Sequence, residues 1–178
     1  MSNQKVTAIV RDSKGWRVDT QDETFFSTTI VNAAGAWADE VAELAGCVPL
    51  GIIPKRRSMA LLPAPVGHET DRWPLTTGAA GDWYARPSAG KWIVSPEDAE
   101  PTFPHDAWAD DMVIAEGLAR YEAMVTAPVT RVKTTWAGLR SFSPDGSLVI
   151  GPDPDDAQFL WCAGQGGYGF QTAPAAAR

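Results

Sequence analysis

Four glycines fall within six residues of the stretch "CAGQGGYGFQTAP": Gly164, Gly166, Gly167 and Gly169. Lacking side chains, they leave the backbone open to close approach by a ligand. Gly164, Gly166 and Gly169 have the G-x-G-x-x-G spacing of a dinucleotide-binding turn. The apolar run "QFLWCA" before them reads as a strand, and the alanine-rich text after them as the opening of a helix. A pyrophosphate turn needs in addition a helix, a second strand and an acidic residue about 20 positions further on. Nine residues follow Gly169, so the loop is expected to bind in another way. Free N–H groups at a helix start favour negative charge or an electron-rich oxygen. A glycine-rich bend imposed by packing is the alternative.

Two further places carry chemistry. In "WAGLRSFSPDG", Arg140 lies in an otherwise apolar strand. A guanidinium there needs a partner, and its fork suits a carboxylate. Taken alone, the residues favour a structural Asp over a substrate carboxylate; Asp145–Gly146 reads as a turn. In "NAAG", residues 32–35, small side chains between a strand end and a helix start let a backbone approach a ligand, or simply make a tight connection. His68 and His105 sit in proline-flanked loop text, and no Ser-His-Asp or Cys-His arrangement suggests itself. Cys47 and Cys162 are far apart, with no metal-ligand spacing, so neither a disulfide framework nor a metal site is expected. With no acid, base, nucleophile or metal in view, the chemistry belongs to a cofactor.

The elements that must position these groups are mixed. "VTAIV" and "WRV" flank the turn "DSKG", and "FFSTTIV" forms a third strand running into "NAAG". In "AWADEVAELAG", Trp37, Val41, Leu44 and Ala45 fall on one helical face, with Gly46 as its stop. From 47 to about 100 (prolines at 49, 54, 63, 65, 74, 87 and 96), the text breaks into short strands, "SMALLP", "WYARP" and "KWIVSP". Residues 110–125 are a helix with Ile114, Leu118, Tyr121 and Val125 on one face and Asp110 and Asp111 at its start. "TRVKTTWAGLRSF" and "LVIG" return to strands. The fold class is therefore α/β, mixed α and β: two strand–turn–helix units side by side in one sheet, with an antiparallel β-rich insert. The expected divisions are residues 1–46, 47–135 and 136–178.

The 178 residues suit about one domain with a sizeable core. A net charge of −7 without a basic run excludes nucleic acid and anionic membranes as partners. No apolar run reaches signal-peptide or transmembrane length, and the cytoplasm is the expected compartment. Eight tryptophans are core material first and ligand-site walls second.

Three segments in order, "IVNAAGAWADEVAELAG", "WAGLRSFSPDGSLVIGPDP" and "FLWCAGQGGYGFQTAPA", resemble the C-terminal half of FAD-dependent amine oxidoreductases of the D-amino acid oxidase, glycine oxidase and sarcosine oxidase family. The resemblance covers nearly the whole chain. It implies part of a Rossmann-like FAD-binding domain, residues 1–46 and 136–178, with a substrate-binding insert at 47–135. It places Gly164, Gly166, Gly167, Tyr168, Gly169 and Gln171 against the flavin ring. The helix that follows would aim its positive end at the ring edge where the reduced flavin holds negative charge. It sets Ala33, Ala34, Gly35 and Trp37 near the dinucleotide, and the backbone at Val6 near adenine. It makes Arg140, in the family's "G-L-R", the grip on a substrate carboxylate, reversing the balance that the bare residues suggest. Tyr84, Arg86 and Trp92 of "WYARPSAGKW" are candidates for the substrate wall; no residue is singled out as catalytic.

The departures also carry meaning. Gly138 stands about where the sarcosine oxidase branch has a flavin-linking cysteine, so FAD would be non-covalent. Gln171 replaces that branch's lysine, and a neutral amide cannot supply its charge. The family's pyrophosphate-binding βαβ unit has no counterpart in these residues. The chain therefore reads as a fragment or one part of a split protein, inactive by itself, with FAD held only in the complete assembly. The function expected is that of the substrate- and flavin-covering half of an FAD-dependent oxidoreductase acting on the C–N bond of an amino acid or secondary amine. A non-catalytic, partner-binding module is the alternative, and a nicotinamide-dependent dehydrogenase a weak third. Ile30, Val31, Leu148, Val149, Ile150, Leu160 and Trp161 come from strands that read as buried on both faces. Part of that surface is then expected to meet a polypeptide carrying the other half, or a second copy.

Overall fold

A computed structural model describes residues 4–178. Its first elements are β1 (Val6–Asp12), β2 (Gly15–Thr20), β3 (Thr24–Ser27), β4 (Ile30–Asn32), α1 (Ala38–Ala45) and β5 (Ile53–Pro63). There follow β6 (Thr76–Thr77), β7 (Tyr84–Ser88), β8 (Lys91–Ser95), α2 (Asp111–Glu122) and β9 (Thr134–Phe142). The chain ends with β10 (Val149–Pro152), β11 (Phe159–Ala163) and α3 (Gly169–Ala176). These elements form two compact units. One holds the residues up to Pro54 together with Arg140–Arg178; the other is Lys55–Leu139.

In the first unit, β1, β2 and β3 form an antiparallel sheet. Asp12 Oδ1 accepts from the backbone N–H groups of Lys14 and Gly15 and so closes the β1–β2 turn. "FFSTTIV" is not one strand. Ser27 Oγ bonds to the backbone of Thr29, and this local turn separates β3 from β4. A second sheet has the order β10-β11-β4, with β10 antiparallel and β4 parallel to β11. The strands of the two strand–turn–helix units thus lie side by side, as expected.

Alternation on β11 decides what is inside. Phe159, Trp161 and Ala163 join Ile9, Trp16, Ala38, Ala42 and Ile52 in the core. Trp161 Nε1 donates to buried Asp153 at 3.0 Å. The opposite face is not covered: Val31 is 58% and Ile150 44% exposed. Within this chain one face of the sheet is buried and part of the other is left exposed. α1 also differs in detail. Its buried stripe is Ala38 and Ala42, flanked by Val41 and Ala45, while Trp37 and Leu44 are partly exposed. Small side chains let the helix sit close to the sheet, which apolar periodicity alone does not reveal. Gly46, at φ +73°, ends the helix, with the Cys47 N–H donating to the Ala42 carbonyl at 2.9 Å.

In the second unit the sheet order is β6-β7-β8-β5-β9. Ala60, Leu62, Ala85, Trp92 and Val94 face α2, which contributes Ile114, Leu118 and Tyr121. Gly117 is required by this packing, because a Cβ there would overlap Pro96. Asp98 accepts from both Ser58 N and Ser58 Oγ, fastening the segment after β8 to β5.

Asp110 caps α2, with Oδ1 accepting from Met112 N at 2.9 Å and Val113 N at 3.1 Å. The Val113 and Met112 N–H groups hold its carboxyl below the ordinary range. A group depressed in the folded state stabilises above its unfolded value, about 3.9 for Asp, and loses that contribution as pH falls through the folded value. Asp110→Asn, a neutral cap of similar quality, is expected to match the parent near neutral pH. It should lose less stability than the parent on acidification below about pH 4. Thermal unfolding of both proteins across that range checks this.

Candidate functional site

The first unit carries the glycine loop on the end of β9. β11 delivers the chain into it, and Gly164 turns it at φ +72° where a Cβ would stand 2.9 Å from the Ser147 carbonyl oxygen. Gly166, at φ +50°, donates its N–H to the Ser141 carbonyl at 2.8 Å and lies on the Phe142 ring, with a virtual Cβ 2.8 Å from Cε1. A Cβ on Gly167 would stand 2.9 Å from Arg140 Nη1. The guanidinium therefore lies across the bare backbone of Gly167, and the structure brings Arg140 and the glycine loop together. Any side chain at 166 or 167 would push into Phe142 or Arg140, so packing accounts for these two glycines as directly as a ligand would.

The far side of the loop is open. Tyr168 and Phe170 are exposed, and α3 buries none of its side chains. The first N–H groups of α3, at Gly169 and Phe170, have no acceptor within the helix. The Gln171 N–H is used locally, on the Tyr168 carbonyl at 3.0 Å. Beneath the loop, the β9–β10 turn is held by local side-chain hydrogen bonds. Asp145 Oδ1 accepts from Ser147 N at 2.9 Å, and Ser143 Oγ lies 2.6 Å from the Ser147 carbonyl. The Ser147 N–H, helped by the Ser143 hydroxyl, lowers the Asp145 pKa.

The "NAAG" turn is held by its asparagine. Asn32 is buried; its Nδ2 donates to the Ala38 carbonyl at 2.8 Å and its Oδ1 accepts from Ala34 N at 3.3 Å. This leaves Ala33 exposed and Gly35 at φ +59°, with nothing nearer than 4.0 Å to a Cβ. Trp37, which follows, is partly exposed. Val6 packs partly into the core, and its backbone pairs with Thr20.

In the second unit, Tyr84 and Arg86 share the sheet face turned away from α2, since β7 alternates and Ala85 is the inward residue. Tyr84 is buried under Arg57, whose guanidinium carbon lies 5.9 Å from the ring centroid, and its hydroxyl is 3.3 Å from Met59 Sδ. Arg86 is exposed. Trp92 faces the other way, into the core, and its Nε1 donates to Tyr121 Oη at 2.9 Å. Phe142, Arg57 and Met59 were not singled out from the sequence. The signal that would have found the latter two is the period of two along β5, which puts 57 and 59 on one face.

All 178 residues match the DAO family model, FAD dependent oxidoreductase. The chain belongs to that family. FAD is accordingly the expected cofactor of this DAO-family chain. It is 31% identical over 165 residues to FAD-dependent oxidoreductase domain-containing protein 1 of Bos taurus, spanning 84% of this chain and 34% of that protein. It is 26% identical over 176 residues to glycine oxidase of Geobacillus kaustophilus, spanning 96% and 44%. The crystal structure of the Geobacillus kaustophilus glycine oxidase superposes with a TM-score of 0.82 at 23% identity, over 97% of this chain and 45% of that one. That of L-proline dehydrogenase from P. horikoshii does so at 0.79 and 21%, over 97% and 46%. The DAO-family chain thus spans between a third and half of these relatives.

The residues present fit one part of FAD. The bare backbone around Gly164–Gly167 and the open start of α3 fit a flat ring with an electron-rich edge. They offer nothing of the phosphate-cradling βαβ unit. Among the described residues no helix is long and apolar enough to cross a membrane.

Proposed function

We propose that this chain is the substrate- and flavin-covering half of an FAD-dependent oxidoreductase that oxidises the C–N bond of an amino acid or secondary amine. The observation that carries the reading is Arg140 lying across Gly167 in the loop assigned to the flavin ring. Arg140 would bind the substrate carboxylate through its fork and orient the C–N carbon. The backbone N–H groups at the start of α3 would stabilise negative charge on the ring edge. Bound FAD, held without a covalent link, would accept the hydride. Gly164, Gly166, Gly167, Tyr168, Gly169 and Gln171 would cover the ring, and Ala33, Ala34, Gly35, Trp37 and the Val6 backbone would contact the remainder. The second unit is the substrate-binding segment, with exposed Arg86 better placed for contact than buried Tyr84 or core-packed Trp92. A cytoplasmic location belongs to the same reading.

The uncovered face of Val31 and Ile150 and the open edge of β4 favour a docking role as well. A polypeptide segment bearing the phosphate-binding half would cover that face and extend the parallel sheet. A second copy of the chain is the alternative occupant.

The test is anaerobic bleaching of the flavin in the protein completed with that half. Glycine, D-amino acids, sarcosine, L-proline and glycerol 3-phosphate form the panel, the last because a relative 27% identical over 182 residues is the glycerol 3-phosphate dehydrogenase of Caloramator mitchellensis. Bleaching by an amine is expected. Bleaching by glycerol 3-phosphate alone, or by none of them, overturns the substrate assignment.

A further inference from the structure

The second unit contains a pocket that the flavin reading does not use. Leu62 and Trp92, paired on β5 and β8, form its floor with Tyr121 of α2, and all three are buried. The loop after β5 and the loop after α2 form its walls, and every lining residue lies between 62 and 130. The cavity is about 360 Å³, the size of small-molecule sites in general.

Three properties define what fits. No Lys, Arg, Asp or Glu lines the pocket, so these side chains offer no carboxylate, ammonium or guanidinium to pair with an ionic ligand. The floor is aromatic and packed against further rings: Trp73 meets Trp92 edge-on at 5.6 Å, and Trp83 meets Tyr121 edge-on at 5.3 Å. His68, Thr126 and Thr130 bring polar side chains to the walls, and Tyr121 Oη is the hydroxyl at the floor. Tyr121 Oη accepts from Trp92 Nε1, its own proton is donated to none of the described residues, and a phenol is a donor as well as an acceptor. Burial raises the Tyr121 pKa, which keeps that proton in place at neutral pH.

We propose that this pocket binds a small uncharged planar ring compound bearing a hydrogen-bond acceptor that faces Tyr121. The ring lies against Trp92 and Leu62, between the proline-containing loops, and Tyr121 Oη–H donates to the acceptor. None of its residues belongs to the first unit, which carries the glycine loop and Arg140, and Trp92 alone is shared with the substrate-wall candidates.

The probe is benzamide, titrated into the full chain while tryptophan fluorescence and backbone amide shifts are followed. Saturable binding is expected, with shifts centred on residues 62–68, 92, 121 and 126–130. Tyr121→Phe, which removes the donor, should weaken binding about tenfold, equivalent to about 1.4 kcal/mol. Ala64→Phe, which fills the pocket from its wall and leaves the floor intact, should abolish it. A dissociation constant weaker than about 1 mM for the folded parent would overturn the proposal, as would shifts centred elsewhere or unchanged affinity in Ala64→Phe. None of these readouts depends on flavin, so their failure leaves the flavin reading untouched.

Discussion

Alone, the 178-residue chain is expected to bind FAD no more tightly than about 10 μM. The contacts proposed for it are chiefly to the ring, through a glycine loop pressed onto Ser141 and Phe142 with the open start of α3 beyond it. A dinucleotide draws much of its affinity from N–H groups that cradle the pyrophosphate at the first turn of a βαβ unit. The one G-x-G-x-x-G spacing in the sequence is spent elsewhere, on the loop that packs against β9. Supplying a polypeptide with the phosphate-binding half, in cis or in trans, should tighten binding by several orders of magnitude and cover Val31 and Ile150. Flavin fluorescence during titration measures the first effect, and binding of an apolar dye the second. Nanomolar affinity of the isolated chain, about −12 kcal/mol, would sink the idea.

In the completed protein, Arg140→Lys is expected to lower kcat/KM for an amino acid substrate by roughly tenfold to a thousandfold, about 1.4 to 4 kcal/mol. Lysine keeps the charge and loses the planar fork that binds a carboxylate at two points. If the arginine holds ground and transition states alike, the loss falls on KM; if it aligns the C–N carbon, kcat falls too. Gly167→Ala is a second route to the same effect, because its Cβ would arrive 2.9 Å from Nη1 and displace the guanidinium. That variant leaves the chemistry of Arg140 untouched, so a drop in kcat/KM there reports positioning. Undiminished kcat/KM in Arg140→Lys would return the residue to a structural role.

Much of the fold was legible because it rests on local rules. "DSKG" closed a hairpin, Gly46 ended a helix, Asp110 stood at the start of one, and Ile114, Leu118 and Tyr121 lined one face. The order of three motifs was enough for the family and hence for FAD. Other features depended on contacts between distant residues. "FFSTTIV" split in two because Ser27 prefers its own backbone turn to a sheet ladder. The buried stripe of α1 fell on Ala38 and Ala42, because close helix–sheet approach rewards small side chains over apolar ones.

The candidate site divides in the same way. By itself the sequence determined which residue types stand where: an arginine in an apolar strand, and glycines that bare the backbone. Only the tertiary structure decided that Gly166 and Gly167 are glycines because Phe142 and Arg140 lie against them. It also separated Trp92 from Tyr84 and Arg86, its neighbours in the text. A strand shows alternate residues to opposite faces, and only packing against α2 determines which face becomes core.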